Sequence, residues 1–272
     1  MPDTGIATGP QRIAEAFSNH GRRAALMPYL MGGFPDMDSS LGVGEAYAEA
    51  GADLVEVGVP FSDPLADGPA IQAAGHRALA AGATLDRVLA EVAAPLSEQV
   101  PVVLMCYANP ILARGIDAVP ELLARHRVSG LIVPDMPSAE AAELRAACDA
   151  AGVALVPLVA PTTPADDARR IAQAARGFVY VVSVTGVTGE RATLPPELGE
   201  VVERVRAAAG VPVAVGFGVG TPAQAAEVGR IADGVIVGSR LVRAVADAPT
   251  LAAGLDDLRL FMAETADALS GG

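Results

Sequence analysis

Short apolar runs, almost unbroken by polar residues, recur along the chain. They fall at Ala25–Gly32, Asp53–Val59, Val100–Ala108, Gly130–Pro134, Ala154–Ala160, Phe178–Val184, Val211–Phe217 and Gly234–Val237. A strand with one wet face alternates polar and apolar residues. These runs do not, so both faces must be buried, as in a parallel sheet covered by helices. Between them lie segments with helical spacing of apolar residues, among them Met37–Ala50, Ala139–Ala151, Pro164–Ala175 and Thr221–Ile231. Eight strand–helix units fit the chain at a period of about 30–35 residues, the length of one βα repeat.

Helix boundaries are marked by residue chemistry. Thr163-Pro164 and Thr221-Pro222 each set a proline at a first helical position behind a hydroxyl that can cap it. Ser138 precedes Ala139-Glu140 in the same way, and Gly51 and Gly152 stand where helix C-caps belong. Gln11–Asn19 reads as an extra helix before the first strand. No linker, charge block or change of composition interrupts the pattern. The expectation is an α/β fold, a (β/α)8 TIM barrel with an extra N-terminal helix, in a single domain spanning residues 1–272. The competing architecture, an open doubly wound sheet, calls for a G-x-G-x-x-G loop after strand one. The chain has Met31-Gly32-Gly33-Phe34-Pro35 there, without that spacing.

Composition narrows the chemistry. Apolar residues make up 51% of the chain and aromatics only 4%, with no tryptophan, so Ala, Val, Leu and Ile must fill the core. The chain has no lysine; all 19 basic residues are arginine. That argues against Schiff-base aldolases, anchored pyridoxal phosphate and the P-loop lysine together. Three histidines, His20, His76 and His126, lie far apart without ligand spacing, so a metal site is not expected. A formal net charge of −13 disfavours nucleic acid and anionic membrane surfaces as partners. Cys106 and Cys148 sit in apolar or helical stretches and read as reduced core thiols. Neither a signal-peptide pattern nor an apolar run of the ~18–20 residues that span a bilayer is apparent, which makes the cytoplasm the expected compartment.

Catalysis in such barrels sits at the C-terminal strand ends and the loops that follow them. Glu56 lies inside the apolar run Asp53–Val59, where a carboxylate is costly unless it is paired, neutral or functional. Burial there should raise its pKa toward a range useful in acid–base work. A structural partner, or an outward orientation, is the alternative. Asp67 sits in a loop after strand two, Pro60 to Pro69, stiffened by three prolines and a glycine. Asp63, in the same loop, is an equal candidate on these grounds. Three glycine loops follow strands six, seven and eight: Thr185-Gly186-Val187-Thr188-Gly189, Gly216-Phe217-Gly218-Val219-Gly220, and Gly238-Ser239 opening a short helix at Arg240–Val245. Backbone amides at such loops bind phosphate without lysine. Tyr107 and Tyr180 could each present a phenol to the barrel mouth or fill the core. Asp135 and Asn109 could cap loops or meet a partner.

The run Leu54-Val55-Glu56-Val57-Gly58-Val59-Pro60-Phe61-Ser62-Asp63-Pro64-Leu65-Ala66-Asp67-Gly68-Pro69 resembles the signature of the tryptophan synthase alpha subunit family. Supporting stretches include Met105-Cys106-Tyr107-Ala108-Asn109-Pro110, Val133-Pro134-Asp135-Met136-Pro137 and Tyr180 through Gly189. The resemblance implies a lyase that cleaves indole-3-glycerol phosphate to indole and glyceraldehyde 3-phosphate by a retro-aldol step. It implies Glu56 as the acid–base residue, Asp67 as the indole-binding carboxylate and Tyr180 as an active-site tyrosine. It implies Gly189, Gly218, Gly238 and Ser239 as phosphate contacts, with Phe217 and Tyr29 as the pocket wall. It further implies a beta subunit that carries pyridoxal phosphate and receives the indole, in an α2β2 assembly. Asp63 and Asp135 then lie toward the interface, and the loops around Asp63 and Thr188 are similar to the family's mobile loops. No cofactor is implied for this chain itself. Val184 and Met31 stand where some relatives carry Arg and Thr, so loop closure and coupling to the partner could differ. Three alternatives stay open: another barrel enzyme acting on a related sugar phosphate, a barrel that has lost catalysis and only activates a partner, and a stand-alone lyase releasing free indole. The absence of lysine disfavours a synthase that needs a lysine acid, and intact Glu56 and Asp67 disfavour loss of catalysis.

Overall fold

The computed structural model describes residues 7–182, 197–216 and 218–271. Within them, eight parallel strands follow the expected runs: β1 (Ala25–Met31), β2 (Val55–Gly58), β3 (Val102–Met105), β4 (Gly130–Ile132), β5 in two segments (Ala154–Leu155 and Leu158–Val159), β6 (Val179–Val182), β7 (Val213–Gly216) and β8 (Gly234–Val237). Each strand pairs with its neighbour in sequence, and β8 returns to β1 through Ala25–Gly234 and Met27–Ile236.

β5 closes the barrel. Its first segment pairs with β4, and the Val156 amide donates to the Leu131 carbonyl at 2.9 Å. Its second segment pairs with β6, and the Tyr180 amide donates to the Pro157 carbonyl at 3.0 Å. Pro157 has no N–H to give to the ladder, which is why the strand is split there. A closed barrel leaves no sheet edge exposed.

Burial explains the unbroken apolar runs. All seven residues of β1 are buried, as are all four of β2, β3, β7 and β8. Inward side chains fill the barrel and outward ones pack beneath the helices. The extra helix, Gly9–Ser18, closes the end of the barrel where the strands begin. Ile13 is fully buried, and Phe17 lies 5.6 Å from the Phe178 ring. The thiols of Cys106 and Cys148 are free and buried, and burial pushes both up to about 12.

Two expected helix starts lie elsewhere. The helix after β4 begins at Ala142, three residues beyond the position behind Ser138; the Ser138 carbonyl instead closes a turn with the Ala141 amide. The helix after β5 begins at Ala165 with Pro164 as its N-cap, because the Thr163 hydroxyl accepts from the Ala160 amide at 3.0 Å. At Thr163 the turn takes the hydroxyl that would have capped the helix; at Ser138 a backbone turn precedes the helix and delays its start. Thr221 does cap its helix, accepting from the Gln224 amide at 3.2 Å, while the Gln224 side chain returns to the Gly220 and Thr221 amides. Gly152 is a left-handed C-cap.

Candidate active site

The register places Tyr29 of β1 opposite Glu56 of β2, and Glu56 opposite Val103 of β3. Paired residues in parallel strands point to one face, here the inside of the barrel. Glu56 is 2% exposed, and its Oε2 has no hydrogen-bond partner. Burial first, and the nearby Asp67 carboxylate second, raise its pKa from an ordinary 4.5 to about 8. An unpaired buried carboxyl is destabilising, so the fold tolerates a cost here.

Asp67 is held by its loop. The helix Pro69–Ala80 begins with Pro69 behind Gly68. Gln72, on its first turn, donates Nε2 to the carbonyls of Asp67 at 2.9 Å and Pro64 at 3.3 Å. The Asp67 amide donates to the Pro64 carbonyl at 3.0 Å. These bonds fix the loop at both ends of its last turn and turn the Asp67 side chain inward, where it is 7% exposed. Burial raises its pKa to about 6, opposed by the nearby Tyr107 phenol, which favours the ionised carboxylate. Asp63, equal to it in the sequence, is separated by the structure: it is exposed and accepts from the Ser62 hydroxyl at 2.6 Å.

Two tyrosines complete the pocket described here. Tyr29 and Tyr180 are both buried, and both phenols are pushed well above their ordinary range by burial and by Glu56 and Asp67. They therefore stay protonated. Each ring lies across a glycine of the next strand, Tyr29 over Gly58 and Tyr180 over Gly216. A β-carbon at either glycine would land on the phenol oxygen. Met31, one of the departures from the resemblance, sits under Tyr29 with its sulfur 3.9 Å from the phenol oxygen.

Part of the expected phosphate site is described. Gly238 caps the helix Ser239–Ala246, and a β-carbon on it would lie 3.7 Å from Tyr29. That puts the helix N-terminus, with Ser239 as its first residue, beside the tyrosine wall. Gly218 adopts φ +87°, a conformation that favours glycine. Gly189, Phe217, Thr188 and Val184 lie outside the described residues. Asp135 is exposed, and its Oδ1 accepts from the Ala108 amide at 2.8 Å, at the start of the helix Ala108–Arg114. Among the described residues, no group of three or more His, Cys, Asp and Glu is arranged to hold a metal ion.

The sequence did not single out Gln72, or the contact of Tyr107 with the loop after β2. The helix-start position of Gln72 was a usable signal; the Tyr107 contact, spanning 41 residues, was not.

The arrangement is a carboxyl held protonated near neutral pH, a second carboxylate that ionises at lower pH, and a helix N-terminus that can receive an anion. It can deliver a proton to one end of a substrate while stabilising positive charge at another.

The family described as "Tryptophan synthase alpha chain" matches residues 16–269. The tryptophan synthase alpha chain of Carboxydothermus hydrogenoformans is 48% identical over 237 residues, covering 86% of this chain and 89% of that protein. That of Synechococcus sp. (strain CC9902) is 50% identical over 229 residues, covering 83% and 85%. Among solved structures, Mycobacterium tuberculosis tryptophan synthase superposes with a TM-score of 0.87 at 38% identity, over 98% of this chain and 100% of that one. The tryptophan synthase subunit alpha of Legionella pneumophila str. Paris superposes with a TM-score of 0.86 at 31% identity, over 97% and 99%.

Proposed function

The chain belongs to the tryptophan synthase alpha chain family, and from that premise we propose how its side chains carry the family's reaction. It is a carbon–carbon lyase that cleaves indole-3-glycerol phosphate to indole and glyceraldehyde 3-phosphate. The single observation that supports our assignment is the buried, unpartnered Glu56 carboxyl beside Asp67 inside the barrel.

Retro-aldol cleavage leaves an electron pair on carbon, which aldolases pass to an iminium or a metal. Indole can accept it. Glu56 donates its proton to ring C3, turning the ring into an iminium-like cation. The hydroxyl on the carbon attached to C3 then loses its proton, its oxygen forms the aldehyde, and the carbon–carbon bond breaks. The released pair restores the aromatic ring. Glu56, returned to the carboxylate by its first transfer, receives the hydroxyl proton, so no net proton is consumed. Asp67, ionised, accepts the ring N–H and stabilises the positive charge that develops there. Tyr29 and Tyr180 wall the ring, with Phe217. Gly189, Gly218, Gly238 and Ser239 bind the phosphate and orient the substrate.

The partner is a tryptophan synthase beta subunit, which in our reading holds pyridoxal phosphate, receives the indole and assembles as α2β2. The exposed Asp63 and Asp135, on the loops after β2 and β4, face it. We read the chain as one barrel domain acting in the cytoplasm. No helix among the described residues is long and apolar enough to cross a membrane.

The test is indole formation from indole-3-glycerol phosphate by the wild type and Glu56→Gln, with and without a beta subunit. The wild type should release indole, the variant should lose it by about a thousandfold or more on the scale of acid–base catalysis, and the beta subunit should co-elute and raise the rate. A Glu56→Gln variant with near-wild-type turnover would remove Glu56 from the mechanism.

A further inference from the structure

We propose that Tyr107 is the positioning residue for Asp67, its one hydroxyl tying the loop after β2 to the end of β3, with Asp135 securing Tyr107 from the loop after β4. The inference rests on the role given to Asp67 above. The phenol oxygen of Tyr107 accepts from the Ala66 amide at 3.1 Å. Its own proton is then free to turn toward the neighbouring Asp67 carboxylate, whose ionised form the phenol favours. A hydroxyl both accepts and donates, so the one group that holds the backbone before Asp67 can also turn its proton to the Asp67 side chain. Burial holds the phenol far above its ordinary range, so it remains a donor throughout the working pH.

Tyr107 is itself fixed on two sides. Its ring stacks on Phe61, centroids 5.0 Å apart and planes 21° from parallel. The amide of the next residue, Ala108, is held by Asp135 Oδ1 at 2.8 Å. Three consecutive strand-end loops are thus joined through Asp67, Tyr107 and Asp135. The described groups that face Asp67 are Glu56 on β2, Tyr29 on β1, Tyr180 on β6 and Tyr107; Asp135 faces Tyr107. Of these, Tyr107 is the one that favours the ionised form of Asp67.

Tyr107→Phe tests this in the full-length chain, alone and with its beta subunit. The ring and its stacking remain and only the hydroxyl is lost. We expect kcat to fall by about 10–100-fold with KM changed no more than about threefold, because the charge on Asp67 matters most in the transition state. The acidic limb of the kcat/KM profile should move to higher pH, since the ionised form of Asp67 loses a donor. A purely structural role would lower stability and leave that limb in place. Asp135→Ala should move the same limb the same way by a smaller amount, and Asp135→Asn, which keeps an acceptor for Ala108, should restore it. An acidic limb and kcat unchanged in Tyr107→Phe overturn the proposal. So does a limb unchanged in Asp135→Ala if Tyr107→Phe does not fold. Failure of the parent reading looks different: Asp67→Asn would then keep near-wild-type turnover and the acidic limb of the wild type.

Discussion

At the residue scale, Glu56 sets catalysis against stability. A carboxyl whose pKa is raised by folding binds its proton more tightly in the native state. Between its ordinary value of 4.5 and about 8, the unfolded chain ionises while the folded one stays protonated, so stability falls as pH rises across that window. Asp67 adds the same trend between 3.8 and about 6. The full Glu56 shift corresponds to a cost on the order of 3–5 kcal/mol above pH 8. Glu56→Gln removes the titrating group. It should be inactive yet more stable, with its advantage in urea unfolding small near pH 4.5 and growing toward pH 8; an advantage that does not change with pH would show that Glu56 titrates normally. The same two groups shape the rate. Activity needs Asp67 ionised and Glu56 protonated, so kcat/KM for indole formation should be bell-shaped, rising through about 6 and falling through about 8. The two limbs belong to the coupled pair and not to either residue alone. A profile flat from 5 to 9 would count against this division of roles.

At the element scale, the strands were legible because a buried parallel strand leaves a continuous apolar run, and all eight described strands fall inside the runs expected for them. Glu56 stood out as a charge within one of those runs. Asp67 stood out from Asp63 only through the resemblance, because what turns it inward is the Gln72 side chain and the Tyr107 phenol, and contacts across a fold leave no spacing in the sequence. Helix ends were less legible for a related reason: Thr163 and Ser138 had turns of their own to close. The helical stretch from Leu85 to Leu96 carries a six-residue π segment, Val88–Ala93, just before Pro95. A proline there has no N–H for the carbonyl four residues back and its ring crowds it; a wider turn relieves both. The nesting of each tyrosine on the glycine of the next strand was equally hidden. It makes Gly58 and Gly216 part of the pocket by what they lack. Gly216→Ala should force the Tyr180 ring aside, cut indole formation at least about tenfold and cost roughly 1–3 kcal/mol in urea unfolding, the usual range for overpacking. Adding Tyr180→Leu should recover part of that stability without recovering activity, a non-additivity expected only of residues in contact. Strictly additive losses would mean the two do not touch.

At the scale of the whole molecule, the charge works against the substrate. The chain carries a formal −13 with no lysine, while the substrate arrives as a phosphate ester bearing about two negative charges near neutral pH. The donors proposed for the phosphate are backbone amides, a serine and a helix N-terminus, whose reach ends within a few ångströms. Beyond that distance the approaching anion meets a field of its own sign. Salt shortens the range of that field from about 30 Å at 0.01 M to about 8 Å at 0.15 M, while leaving close contacts in the pocket largely intact. Measured with the alpha chain alone, KM for indole-3-glycerol phosphate should therefore fall as sodium chloride is raised across that interval, with kcat nearly constant. Sodium phosphate at matched ionic strength should raise KM, because it competes for the same amides. A KM that climbs with chloride would place the net attraction in long-range positive charge near the mouth, and the amide-based account of phosphate binding would have to give way.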